Sequence, residues 1–183
     1  MTKIAFIFPG QGSQVVGMGQ EFVLNEPACK EFYDQADQLL AIELSKLMLE
    51  GPQEELTLTY HAQPALLTTG VMIADKLKRA GIEPDFTAGH SLGEYAALVA
   101  SSVMTFADGV QAVHKRGIFM NEAVPAGEGA MAAVLGLERD VLKQVTDEVS
   151  QNGEVVQLAN LNCPGQIVIS GTAKGVEIAS EKA

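Results

Sequence analysis

The sequence predicts an α/β fold in two parts, a larger one over residues 1–125 and a smaller βαββα one over 126–183. Three observations carry this. The chain opens on Lys3-Ile-Ala-Phe-Ile-Phe8, a run of strand formers halted by Pro9-Gly10-Gln11-Gly12-Ser13, which can only be loop. Further on, the apolar run Pro84–Ala88 enters a sharp turn, Gly89-His90-Ser91-Leu92-Gly93, and leaves it in a small-residue helical stretch. After the linker-like Pro125-Ala-Gly-Glu-Gly129, short strand-like runs alternate with amphipathic ones.

Taken in order, the first strand ends on its glycine-rich loop, and in open α/β sheets that end is where ligands bind. A helix is expected from Glu26 to Leu40 with Asn25 as N-cap, and a shorter one ending near Glu50, before Gly51-Pro52. Pro64–Ala80 reads as a helix with proline in its first turn and Gly81 as its cap. Leu92–Val99 reads as a buried helix, and Thr105 with Asp108 resembles a capping box opening a helix to about Val124. In the smaller part, Ala130–Leu135, Glu154–Ala159 and Gln166–Ser170 read as strands and Glu138–Ser150 as a helix, and Thr172 opens another helix. That order is one strand short of a ferredoxin-like βαββαβ unit, and the chain is expected to be cut in mid-helix at Ala183.

Composition narrows the function. Twelve Lys and Arg against 23 Asp and Glu give a net charge of −11, which repels phosphate backbones and argues against general nucleic-acid binding. No stretch approaches the ~20 apolar residues that span a bilayer, so no membrane partner is expected. Cys29 and Cys163 are isolated, a usage that fits free thiols in a reducing, cytoplasmic setting. Three scattered histidines and two distant cysteines give no metal-ligand spacing, and neither metal nor cofactor is expected.

The chemistry centres on Gly89-x-Ser91-x-Gly93. A serine on a strand-to-helix turn sits in a strained bend. Flanking glycines let neighbouring backbones pass close by, and the following helix aims its first amides at a developing oxyanion. The plain alternative is a glycine-rich turn. Gly10-Gln11-Gly12 fits no phosphate-binding fingerprint, because Val15 and Met18 stand where a dinucleotide or Walker motif needs Gly or Lys. It is either a simple loop or a source of oxyanion donors at Gln11. On the helix after Thr105, Val110, Val113, Gly117 and Met120 share a face; Arg116 lies at its edge and Lys115 points nearly opposite, toward solvent. An inward arginine needs a partner, either an acid of the chain or a ligand carboxylate that suits its planar fork.

Read together, Phe8-Pro9-Gly10-Gln11-Gly12-Ser13-Gln14, Gln63-Pro64-Ala65, Gly89-His90-Ser91-Leu92-Gly93-Glu94, Lys115-Arg116-Gly117 and Asn160-x-Asn162-x-Pro164-Gly165-Gln166 resemble the malonyl-CoA:acyl-carrier-protein transacylases over essentially the whole chain. The resemblance implies an α/β-hydrolase-like large subdomain with a ferredoxin-like small one, both incomplete here. It makes Ser91 the acylated nucleophile, gives the oxyanion hole to the backbone amides of Gln11 and Leu92, and has Arg116 hold the malonyl carboxylate. Malonyl-CoA and acyl carrier protein are the implied partners. An esterase or thioesterase on a related fold, or a catalytically inert piece, is the alternative. His90 adjoins Ser91 on a turn where neighbouring side chains diverge, and His61 and His114 lie in no motif; the family's catalytic histidine comes from a segment after the small subdomain. The chain alone is therefore expected to be inactive. For carrier docking, Lys76, Lys78, Arg79 and Lys115 are the densest basic positions.

Overall fold

In the computed structural model, which describes residues 2–124 and 127–183, the opening apolar run forms β1, Ala5–Phe8. Phe6 and Phe8 point into the core and Ile7, between them, points out, the two-residue alternation of a half-buried strand. The 9–19 loop leads into α1, Gln20–Asn25. Then come α2 (Pro27–Leu40), α3 (Leu44–Glu50), α4 (Gln53–Thr57) and the long α5 (Thr59–Arg79). β2 (Phe86–Gly89) pairs with β1 in parallel, Ala5 opposite Phe86 and Phe8 opposite Gly89. α6 (Gly93–Ala100) and α7 (Phe106–Ala123) follow.

Several boundaries differ from the sequence reading. Asn25 is not the cap of α2; it closes α1, its Nδ2 donating to the Glu21 carbonyl at 2.7 Å. The extended Glu26 precedes α2, with Pro27 in the first turn. α1 and α4 were not anticipated, because helices of six and five residues are too short to show a period. α5 starts five residues before Pro64, so the proline lies inside the helix rather than in its first turn. A proline there removes one helical hydrogen bond. Continuous burial from Ala62 to Thr68 offsets that loss by packing. At the other end the helix closes at Ala80, with Gly81 N–H on the Lys78 carbonyl and Ile82 N–H on that of Leu77. The expected cap of α7 is present: Asp108 N–H donates to Thr105 Oγ1 at 3.1 Å.

The chain divides into two compact units, one ending at Asn121 and the other running from Glu122 to Ala183. Of the linker expected between 125 and 129, Pro125 and Ala126 lie outside the described residues. The first unit packs α2, α3, α5, α6 and α7 around Tyr33, Leu44, Met48, Leu67, Met72, Val110 and Val113.

The second unit holds β3 (Gly129–Leu135), α8 (Arg139–Gln151), β4 (Val156–Cys163), β5 (Gln166–Thr172) and α9 (Ala173–Lys182). β5 lies between β3 and β4 and is antiparallel to both. β3 and β4 are therefore parallel to each other and joined through α8, a split βαβ arrangement. Leu142, Val149, Val156, Ile167, Ile169, Val176 and Ala179 form its core. β4 runs four residues past the expected Ala159 because register shifts after Leu158 and Leu161 break the alternation that marks a strand while the pairing continues. Thr172 caps α9 as expected, its side chain accepting from Gly175 N–H at 3.0 Å.

Candidate active site

The parallel pairing of β1 and β2 brings their C-terminal ends side by side, and both candidate loops leave from there. His90 N–H donates to the Phe8 carbonyl at 3.1 Å, which carries the pairing one residue beyond β2. Ser91 then takes φ = 54°, the left-handed region that L-residues other than Asn and Asp seldom occupy. Gly89 and Gly93 make the bend possible. A Cβ on Gly89 would collide with the Gly93 backbone, and one on Gly93 would lie 2.7 Å from the Pro9 carbonyl oxygen. Strand end, turn and helix start are thus packed backbone on backbone, and the exposed Ser91 is raised at the N-terminus of α6.

Leu92 follows directly; its side chain is buried and anchors the turn in the core. Among the described residues, neither its N–H nor that of Gln11 has a hydrogen-bond partner. The loop bearing Gln11 is held at several points. Gly12 N–H donates to Gln14 Oε1 at 2.8 Å, and Gln11 Nε2 donates to Thr59 Oγ1, at the start of α5, at 3.1 Å. Gln53 clamps the strand of loop behind it, accepting from Val16 N–H at 2.9 Å and donating to the Gln14 carbonyl at 3.3 Å.

Arg116 reaches this corner from α7. Its Nη2 donates to Ser91 Oγ at 2.9 Å and its Nη1 to Gln63 Oε1 at 2.6 Å. Gln63 is completely buried, and its Nε2 faces the Met120 sulfur at 3.4 Å. α7 approaches closely enough for this because Gly117 meets the first turn of α5: a Cβ there would stand 2.5 Å from Tyr60 Cα. Lys115 is exposed, as its position on the helix predicts. Met120, expected on the buried face, is 45% exposed.

Of the two partner types expected for an inward arginine, Arg116 has neither. Among the described residues it forms no ion pair; a neutral amide and a neutral hydroxyl take its protons. The guanidinium charge is thus left uncancelled beside the serine oxygen, an arrangement that can attract an anionic group. Gln63 is the residue whose role sequence reasoning missed. It was visible only as part of the Gln63-Pro64-Ala65 motif, and nothing local links it to a residue 53 positions away.

The histidines are occupied elsewhere. His61 Nδ1 lies 3.1 Å from the Glu55 carbonyl and 3.2 Å from its carboxylate, and His114 Nδ1 lies 2.8 Å from the Tyr60 carbonyl. Among the described residues, neither His61 nor His114 hydrogen bonds to Ser91. The basic positions considered for docking are largely committed too. Lys76 pairs with Glu26, Lys78 donates to the Ala100 carbonyl, and Arg79 pairs with Asp75 at 2.7 Å. At 1.5 Å per residue, Lys78 is about 22 Å along α5 from Gln63. Among the described residues no helix is long and apolar enough to cross a membrane.

The chain matches the acyl transferase domain family over residues 5–183. It is 66% identical over all its 183 residues to a malonyl CoA-acyl carrier protein transacylase of Bacillus subtilis and covers 58% of that protein. With the Escherichia coli K12 protein of the same name it shares 46% over 178 residues, which are 97% of this chain and 57% of that protein. Among solved structures, the malonyl CoA-acyl carrier protein transacylase of Coxiella burnetii superposes with a TM-score of 0.92 at 46% identity, over 98% of this chain and 57% of that one. A malonyl-transacylase in complex with a type II polyketide acyl-carrier protein matches with a TM-score of 0.91 at 40% identity, over 98% and 58%. The chain thus spans a little over half the length of the relatives it matches. A family match over nearly every residue, with a serine raised on a strained turn between β2 and α6, leads to one statement: the chain belongs to the acyl transferase domain family.

Proposed function

We propose that this chain carries the nucleophile and acyl-binding half of an enzyme that moves a malonyl group from CoA to the phosphopantetheine thiol of an acyl carrier protein. The observation that carries the reading is the Arg116 fork, held by the neutral Gln63 and donating to Ser91 Oγ at 2.9 Å. It presents an uncompensated cation within one acyl group's reach of the nucleophile, where a dicarboxylic acyl group would carry its free carboxylate.

In the proposed reaction Ser91 Oγ attacks the thioester carbonyl as a base takes its proton. The oxyanion rests on the Gln11 and Leu92 amides, and the C–S bond breaks with return of a proton to the CoA sulfur. The carrier thiol then attacks the Ser91 ester by the same steps in reverse. Arg116 binds the carboxylate throughout, which orients the acyl group and keeps the ester in one pose. Because neither His61 nor His114 hydrogen bonds to Ser91 among the described residues, and the His90 ring lies against Gly10, the base is assigned to a segment outside residues 1–183, and residues 1–183 alone are expected not to turn over. The reading also divides the chain at 125/126, four residues past the end of the first compact unit, with an α/β-hydrolase-like part before and a ferredoxin-like part after. It places the protein in the cytoplasm, where the free Cys29 and Cys163 stay reduced.

The experiment is acylation by malonyl-CoA and acetyl-CoA, read by intact mass and peptide mapping, in the full-length enzyme as wild type, Ser91→Ala and Arg116→Ala. One malonyl adduct on Ser91 is expected, lost in Ser91→Ala. Arg116→Ala should lose malonyl acylation by a hundredfold or more, since removing one side of a desolvated charged pair costs ~3–5 kcal/mol, with little effect on acetyl. An adduct that persists in Ser91→Ala, or equal losses for both donors, overturns the reading.

A further inference from the structure

Pro64 has no N–H, so the carbonyl one turn earlier in α5, that of Tyr60, lacks its ordinary helical donor four residues on. His114 of α7 supplies one, with Nδ1 2.8 Å from the Tyr60 oxygen. A carbonyl can only accept, so the half-buried imidazole carries its proton on Nδ1. The same short stretch of α5 meets both the glycine-rich loop and α7. Thr59 receives Gln11 Nε2, Tyr60 is the backbone against which Gly117 packs, and Gln63 holds Arg116.

We propose that His114 is a positioning residue for Arg116: it uses the carbonyl that Pro64 leaves without its ordinary helical donor to fix the rotation and height of α7 against α5. This rests on the reading of Arg116 as the anchor for an acyl carboxylate. The physical need is directional. Near the site, α7 meets α5 through Gly117 and through Gln63, which touches Arg116 and Met120. The Gly117 contact sets how closely the helices approach but does little to resist sliding or turning. The Gln63 contacts run between flexible side chains that can follow a shift, whereas the His114 bond ends on the α5 backbone. The hydrogen bond at His114, two residues before Arg116, is short and directional and resists both. The margin is small, because the bond from Arg116 Nη2 to Ser91 Oγ stands at 2.9 Å and is lost once it lengthens by roughly 0.5 Å. One residue along a helix is a displacement of 1.5 Å, so a slip of a third of a residue is enough.

The test compares two amides that differ by one methylene. His114→Asn places its NH2 where Nδ1 stands and should keep the clamp. His114→Gln places it near the Nε2 position and should lose it. NMR of the wild-type chain should first show the Nδ1–H tautomer; an Nε2–H tautomer overturns the proposal. Malonate is then titrated against the Arg116 guanidinium resonances, with Arg116→Ala as the control. The midpoint should rise about tenfold in His114→Gln, the usual scale for one hydrogen bond, and stay near wild type in His114→Asn. The loss should shrink in a Pro64→Ala background, where Tyr60 regains a helical donor. Equal midpoints in all variants, or His114→Asn behaving as His114→Gln, overturn it. If malonate leaves the wild-type Arg116 resonances unmoved, the carboxylate-anchor reading fails instead. The proposal is then decided by whether the free-state Arg116 resonances shift in His114→Gln and not in His114→Asn: a shift supports it, and none overturns it.

Discussion

The neutrality of Gln63 gives a sharp prediction. Arg116 donates at 2.6 Å to an amide oxygen that is completely buried, so the guanidinium charge is held in place without being cancelled. Gln63→Glu changes one NH2 to an oxygen with almost no change in shape and puts a carboxylate at that contact. Two opposite charges 4 Å apart interact by about 4 kcal/mol at an effective dielectric constant of 20. An incoming acyl carboxylate would have to compete with that pair and would also face a like charge. Allowing for relaxation of the side chains, the loss in carboxylate binding should be about 2–4 kcal/mol, or roughly 30- to 1000-fold. An acyl group without a carboxylate makes no such contact and should change by less than about threefold. The assay is kcat/KM for Ser91 acylation by malonyl-CoA and by acetyl-CoA in the full-length enzyme, with circular dichroism to confirm the fold. A Gln63→Glu variant that keeps its malonyl preference, or loses both donors alike, refutes the idea that the arginine is kept unneutralised for a ligand.

Three further predictions follow from the packing. Gly93→Ala should unfold the elbow or abolish Ser91 labelling, because its Cβ would run into the backbone carbonyls of Phe8 and Pro9; labelling at the wild-type rate would count against the backbone packing described above. Tyr33 is buried, donates to the Met18 carbonyl at 2.8 Å, and is held in its neutral form by burial, which raises its pKa from 10.0 to about 12. Since the folded value is the higher one, its contribution is whole below pH 10 and is lost as pH rises toward 12; the stability gap between wild type and Tyr33→Phe in urea melts should close over that window, and a constant gap would refute the assignment. Asp85 is lowered below its ordinary 3.8 by hydrogen bonds from Lys3 and from Ile4 N–H. Its contribution should therefore be present above pH 3.8 and fade as pH falls below it, and Asp85→Asn should remove that acid dependence; an unchanged acid transition in Asp85→Asn would refute it.

Much of the site was readable along the chain. The Gly89-x-Ser91-x-Gly93 spacing announced the strained serine, because the constraint lies in three consecutive bends of the backbone. The placement of Arg116 at the edge of a buried helical face and of Lys115 in solvent followed from the helical period. Short helices did not register, and neither did the polar end of β4, where register shifts interrupt the alternation.

What the sequence by itself determined is therefore local: a strand closed by a glycine-rich loop, a serine on an elbow, an arginine turned inward, and a βαββα order after residue 129. These follow from backbone preferences and periodicities that act over a few residues. What only the tertiary structure decided is which distant groups meet. Gln63 and Arg116, or Tyr60 and His114, are more than 50 positions apart in the chain, and Pro64, which reads as a helix start, lies inside α5 because packing outweighs one lost hydrogen bond. A side chain's partner depends on how two helices cross and at what height. No propensity along the chain encodes that, because it is set by the shapes that fill the core between them.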